Sequence, residues 1–282
     1  LKLQGRAVNM EVEVHEYDIA RSAAHDLLDD HVWRRVEQRI RAKVYQAVFV
    51  SPLCSTFSRL LFNMRKGPTP MRNRTYPWGF PWVSGAAYRK LQDHNCLVQR
   101  AVQACTLAAD ASAYFVMEHP EDLGKTHGDH PASIWQLELV HALADASGAR
   151  RLAVHQYDFG APSPKPTGFL TNCSATEGFD IEGWPIFDDD GLYVGPLPRI
   201  SAPPMQTGPE HTTKTAEYPP ALNTALARMI VKSCQDWMDN SANPLEGGGA
   251  SSLMVSSLPG ASVQGARPQW HLQHQLKVQC HQ

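Results

Sequence analysis

Apolar residues recur along this chain at two different periods, and the alternation of the two predicts the architecture. Residues 47–51 (AVFVS), 113–120 (AYFVMEHP), 150–160 (RRLAVHQYDFG) and 167–172 (TGFLTN) are short apolar runs, the pattern of strands buried in a sheet. Between them lie segments of helical period. Residues 29–44 carry Val32, Val36, Ile40 and Val44 on one face at spacings of four, and 86–113 read as a long helix. Residues 131–148 read as a helix that starts at Pro131 and stops at Gly148. Residues 8–19 read as a strand running into a loop, and 173–217, rich in Pro and Gly, as irregular loops or short strands. Strands alternating with helices predict an α/β fold with a mostly parallel, doubly wound sheet. The folded block spans 8–237. From 240 to 282 the chain is rich in Gly, Ser, Pro and Gln with weak periodicity, which predicts a disordered tail.

Composition narrows the function classes. With 282 residues and 43% hydrophobic content, the chain is long enough for one core of ordinary size. A formal net charge of −2 gives no global basic signature, so a nucleic-acid partner requires a local patch. Six cysteines occur without a C-x-x-C pair, which argues against a zinc ribbon or a secreted disulfide framework and fits a reducing, intracellular compartment. No metal site is expected. No apolar run approaches a membrane span, and no signal peptide is apparent at the N-terminus. The first residue is Leu, which reads as a truncated start.

In such a sheet, ligands bind outside the carboxyl ends of the strands. The residues that follow each apolar strand are therefore the informative ones. After 47–51 come Pro52, Leu53 and Cys54; the strand at 113–120 closes on Glu118, His119 and Pro120; after 150–156 come Tyr157, Asp158 and Phe159. A thiol and a carboxyl are thus delivered to one rim, each beside proline, and the pair points to a site more than either member does.

These residues carry a resemblance. "SPLCSTFS" resembles the P-C-x-x-F-S motif of DNA cytosine C5-methyltransferases, and "FVMEHP" resembles their E-N-V or E-N-P motif. "HQYDFGAPSPKPTGFLTN" is similar to the family's late Y-G-x-P segment in the K-P-T form of divergent, some of them mobile-element-linked, relatives. "EYPPALNTALARMI" is similar to its final helix. The motifs stand in the family's order and cover residues 10–232. Leu53 and His119 stand where the family has Pro and Asn, and no Phe-x-Gly-x-Gly turn occurs. The resemblance implies a Rossmann-like methyltransferase fold, S-adenosylmethionine as cofactor, DNA as partner with RNA also open, and a nuclear location. It implies that Cys54 is a nucleophile adding to C6 of a flipped cytosine, and that Glu118 holds the base while C5 becomes methylated. Glu16 or Asp18 would accept the ribose hydroxyls of the cofactor, with Asp26 near its adenine and Pro52 lining its site.

The loop after Cys54 carries Arg59, Arg65, Lys66, Arg72 and Arg74 interleaved with Tyr76, Trp78, Phe80 and Trp82. With Lys165 from the K-P-T segment, these are the candidate nucleic-acid contacts, the cations for phosphates and the rings for unpaired bases. A proline-braced lid packed by its own tryptophans is the competing reading of this loop, just as the cap of the following helix is for Asp26, Asp29 and Asp30. Two further functions stay open: a methylase-like nucleic-acid-binding protein whose chemistry has lapsed, and a thiol hydrolase pairing Cys54 with a histidine, His119 being the candidate.

Overall fold

The computed structural model describes residues 1–7, 10–62, 68–199, 217–242 and 272–273. In chain order the elements are α1 (Lys2–Ala7), β1 (Val12–Glu13), α2 (Asp30–Arg41), β2 (Ala47–Val50), α3 (Gly85–Asp110), β3 (Tyr114–Pro120), α4 (Glu138–Ser147), β4 (Arg150–His155), β5 (Pro166–Thr171), β6 (Ile186–Phe187), β7 (Tyr193–Gly195), α5 (Pro220–Ala242) and β8 (Leu272–Gln273). Of the segment expected to be disordered, the described residues are the end of α5 and β8, which pairs with β1 in parallel; the remainder lies outside the described residues.

The fold is mixed α/β, and its main sheet has four strands in the order β2-β3-β5-β4. β2 and β3 pair in parallel, whereas β5 runs antiparallel to both β3 and β4. This corrects the expectation of a mostly parallel sheet. A parallel connection needs a crossover of a dozen or more residues, usually helical. Residues 156–165 hold one 3-10 turn and no α-helix, so the chain turns straight back after β4. β2, β3 and β4 still run in one direction and present their carboxyl ends along one rim.

Period-2 alternation divides the sheet between two cores. Val48, Val50, Phe115, Met117 and Leu170 face a cluster that includes Val32, Val36 and Ile40 of α2, Val98, Ala101 and Ala104 of α3, and Val140 of α4. Ala47, Phe49, Val116, Leu152 and Phe169 face a second cluster that includes Leu222, Leu226 and Ile230 of α5. Burial of each large aliphatic or aromatic side chain contributes about 1.5–3 kcal/mol. Asp29 caps α2, its carboxylate accepting from the amides of His31 and Val32, the alternative role the sequence suggested for it. Gly148 ends α4 in the left-handed conformation (φ 62°), also as expected. The start of α4 differs. Ser133 caps a single 3-10 turn at Ile134–Gln136, and Leu137 (φ −80°, ψ 128°) is extended, so the α-helix begins at Glu138 and not at Pro131.

Beyond the end of β3 lies a buried ion pair. Glu121 and Arg151 meet with both side chains fully enclosed. The Arg151 guanidinium lies 4.5 Å over the Trp135 ring and donates to the Gly183 carbonyl at 2.9 Å. The Tyr193 hydroxyl donates to Glu121 at 3.1 Å.

Candidate active site

The rim gathers five side chains from separate parts of the chain. Glu118 is two residues along β3 from Val116, so its carboxyl projects to the face covered by α5, and it is 6% exposed. Ser51, two residues beyond Phe49, projects to the same face and donates its hydroxyl to Glu118 Oε2 at 2.5 Å. Tyr218, just before the Pro-Pro entrance of α5, packs edge-on against Phe49 (centroids 6.4 Å apart). Its hydroxyl bonds to Glu118 and to Ser51, and it also lies in the field of the Cys54 sulfur. Lys165 completes the group, its ammonium 5.8 Å from the Tyr218 ring centroid. Lys165 is held at φ 35°, a strained value for a residue with a side chain, between two prolines.

Cys54 is half-buried, forms no disulfide, and sits in a turn closed by the Phe57 amide donating to the Cys54 carbonyl at 2.9 Å. Tyr218 is thus bonded to the carboxyl and lies within electrostatic range of the thiol. Burial is the largest influence on Glu118 and raises its pKa above the ordinary glutamate value; the Ser51 bond, the Lys165 charge and the Tyr218 bond oppose it. Burial and the adjoining Glu118 carboxylate likewise push the Tyr218 phenol well up. The cluster thus holds a carboxyl whose proton affinity is raised by burial, with the Cys54 thiol within electrostatic range of the tyrosine bonded to it.

His119, the next residue of β3, projects to the opposite face. It meets Phe57 edge-on at 5.3 Å and Trp135 at 6.4 Å. Burial pushes its pKa down to about 3, so this imidazole is far too weak a base to hold a thiol proton at neutral pH. A Cys54–His119 thiol hydrolase has no support in this geometry.

The other expected site residues divide sharply. Pro52 is buried beside Ser51. The residues assigned to the cofactor are engaged locally: Glu16 pairs with Arg21 at 2.5 Å, Asp18 accepts the Ala20 amide at 2.9 Å, and Asp26 accepts the Leu28 amide at 2.9 Å. Asp18 and Asp26 are bracing their own turns. Arg59 donates to the carbonyls of Leu123 (3.0 Å) and Lys125 (2.9 Å), clamping the loop beyond β3. Arg72 is 1% exposed, stacks 3.9 Å over the Phe57 ring and donates to the Pro77 carbonyl at 2.8 Å. Desolvation lowers its pKa to about 9. Trp78 packs on the core, and its carbonyl accepts from Asn95 at 2.8 Å. Arg74 is exposed, 5.3 Å over Phe187. Arg65 and Lys66 lie outside the described residues.

Ser51 and Tyr218 are the residues that the sequence reading missed. Ser51 had a signal, since it extends the alternation of β2 by one polar residue on the Phe49 face. Tyr218 had none, because its approach to Glu118 depends on how α5 docks. Among the described residues no group of three or more His, Cys, Asp or Glu is arranged to hold a metal, and no helix is long and apolar enough to cross a membrane. Comparison with known protein families, with curated proteins and with solved structures finds no match to this chain.

Proposed function

We propose that the rim carries out covalent catalysis on a cytosine in nucleic acid, DNA by the resemblance of its motifs, as the first half of C5 methylation. The observation that carries this reading is the buried Glu118 carboxyl, held by Ser51 and Tyr218, with the Cys54 thiol within electrostatic range of Tyr218. The half-exposed Cys54 thiol releases its proton to solvent, and the resulting thiolate adds to C6, forming the S–C6 bond. The C5–C6 π pair moves to C4–C5, the C4–N3 pair moves onto N3, and N3 takes the proton of Glu118. The product is an enamine whose C5 is a nucleophile. A carboxyl whose proton affinity burial raises suits that step, because charge develops on N3 as the thiolate attacks.

S-adenosylmethionine is the methyl donor that the resemblance implies. The carboxylates assigned to it are engaged within their own segments, and the adduct chemistry above needs only the rim. The same engaged carboxylates favour a second reading, a nucleic-acid-binding protein that no longer transfers methyl groups.

Covalent trapping tests both. DNA carrying 2-pyrimidinone in place of cytosine captures a thiol adduct without a methyl donor, and DNA carrying 5-fluorocytosine captures it only after methyl transfer. Denaturant-resistant complexes with both bases, absent in Cys54→Ser, are expected of a methyltransferase. A complex with 2-pyrimidinone alone selects the second reading. No complex with either refutes the assignment of Cys54.

A further inference from the structure

The loop between Cys54 and α3 contains a feature that the rim chemistry does not use. Tyr76, Phe80 and Trp82 form one aromatic group. Phe80 and Trp82 are stacked, with centroids 4.7 Å apart and planes 7° from parallel. Tyr76 meets both edge-on, at 5.9 and 6.0 Å. The group is not covered: Trp82 is 68% exposed and Tyr76 43%. Stacked on Phe80, Trp82 still leaves most of its surface to solvent. Tyr88, in the first turn of α3 directly after the loop, is 49% exposed as well.

The loop is a built structure. The amide of Gly79 donates to the Tyr76 carbonyl, and that of Val83 to the Phe80 carbonyl, each at 3.1 Å, and the Phe80 amide donates to the Met71 carbonyl at 2.9 Å. Gly79 sits at φ 127° so close to α3 that a Cβ there would lie 2.1 Å from a Leu91 methyl. Pro77 and Pro81 remove freedom from the unbound loop. Arg72 ties the loop to the catalytic turn, holding the Pro77 carbonyl and the Phe57 ring at once. Burying a guanidinium in this way makes sense where two pieces of backbone must keep a fixed relation.

Charge indicates the occupant. Between Glu37 and Asp93 the sequence contains ten Lys and Arg and no Asp or Glu, in a chain whose net charge is −2. Arg74, Arg89 and Lys90 of this stretch are exposed. Rigid, exposed aromatic rings on a segment rich in cations and free of carboxylates fit a strand of unpaired bases, whose π faces stack while its phosphates are neutralised. A paired duplex keeps those faces inside its own stack.

We propose that Tyr76, Phe80 and Trp82 form a stacking platform for single-stranded nucleic acid, so that the substrate of the rim is an unpaired strand and not a duplex. This rests on the rim acting on a nucleic-acid base, but the platform is tested without cytosine. Tryptophan fluorescence of the Cys54→Ser chain is titrated with oligothymidylate and, separately, with the same sequence paired in a dA·dT duplex. The single strand is expected to quench the fluorescence and to bind at least tenfold more tightly than the duplex. Trp82→Ala should weaken single-strand binding by about tenfold or more, and Trp82→Phe, which keeps a π face, by only a few-fold. Tyr76→Ala should weaken it in the same sense, and thermal unfolding of each variant verifies that it is folded. Equal affinity for duplex and single strand, unchanged binding in folded Trp82→Ala, or no binding at low salt would each overturn the proposal, the last pointing to a protein partner. Failure here leaves adduct trapping on duplex DNA intact, whereas failure of Cys54 chemistry leaves oligothymidylate binding intact.

Discussion

Replacing Ser51 by Ala removes the hydroxyl that holds the rim carboxyl and also bonds to Tyr218. The Ser51 hydroxyl donates to Glu118 at 2.5 Å on a carboxyl that is 6% exposed, so water cannot readily replace it. When Glu118 is ionised, the lost bond is one to a charged acceptor and costs about 1.5–3 kcal/mol; when Glu118 is protonated, it is a neutral bond worth about 1 kcal/mol. The cost therefore depends on pH with a definite sign. Burial raises the Glu118 pKa above its ordinary value. The stability owed to this group is thus fullest below the ordinary glutamate pKa and is lost as pH rises through the raised value. Removing the hydroxyl raises that pKa further and deepens the loss at alkaline pH. Urea unfolding of parent and Ser51→Ala at pH 4.5 and 8.5 measures it, and the other titrating groups cancel in the difference between the two proteins. The penalty is expected to be larger at pH 8.5 by about 1 kcal/mol or more. An equal penalty at both pH values would mean that Glu118 does not change ionisation between them or does not feel Ser51, and the account of the site would fail.

Two further predictions concern the groups around the rim. Arg151→Met leaves the Glu121 carboxyl buried without its cation and should cost about 3–5 kcal/mol in denaturant unfolding, whereas the double variant with Glu121→Leu should recover much of it; a double variant no more stable than Arg151→Met contradicts the ion-pair reading. His94 and His119 have folded pKa values lowered to about 4 and about 3 by burial, so each contributes stability above the ordinary histidine value near 6.5 that is lost as pH falls toward the folded value. Between pH 6 and 4.5 each costs about 1.4 kcal/mol per pH unit, while Glu118, Glu121 and Asp122, raised by burial, act in the opposite sense. His119→Leu should flatten the acid side of the stability profile by one proton, and an unchanged slope would mean that this ring is charged or hydrated in the folded chain.

The parts of the fold that follow from side-chain period were legible in the sequence. The apolar runs at Ala47–Val50 and Tyr114–Pro120 and the face built by Val32, Val36 and Ile40 required only a repeat of two or near four. Strand direction was not legible, because the alternation of Pro166–Thr171 reads the same whichever way the strand runs. The clue lay in the connection, too short and too free of helix to cross over. The rim pair of Cys54 and Glu118 was legible because each directly follows or ends a strand, where chain order fixes position. The cations were not. Arg59, Arg72 and Arg74 have the same charge in the sequence, yet one clamps a loop, one is buried on Phe57 and one is exposed, and only packing distinguishes them. Asp18 and Asp26 illustrate a local rule that competes with a functional one: an aspartate two residues before a free amide tends to brace its own turn.

Glu118 and His119 are adjacent in sequence and opposite in use, and the pleat of β3 is the reason. One side chain faces α5 and meets Ser51 and Tyr218; the next faces Phe57 and Trp135 and is held neutral within the core. A slip of one residue in the pairing of β3 would exchange them, placing a carboxyl among the aromatic rings and an imidazole against Ser51 and Tyr218. The antiparallel partner makes that slip costly, because Val116 through Pro120 pair with Thr171 through Thr167, and Met117, opposite Leu170, would lose its place in the α3 side of the core. The strand that departs from the expected parallel sheet is therefore also the one that fixes which of the two residues the rim receives.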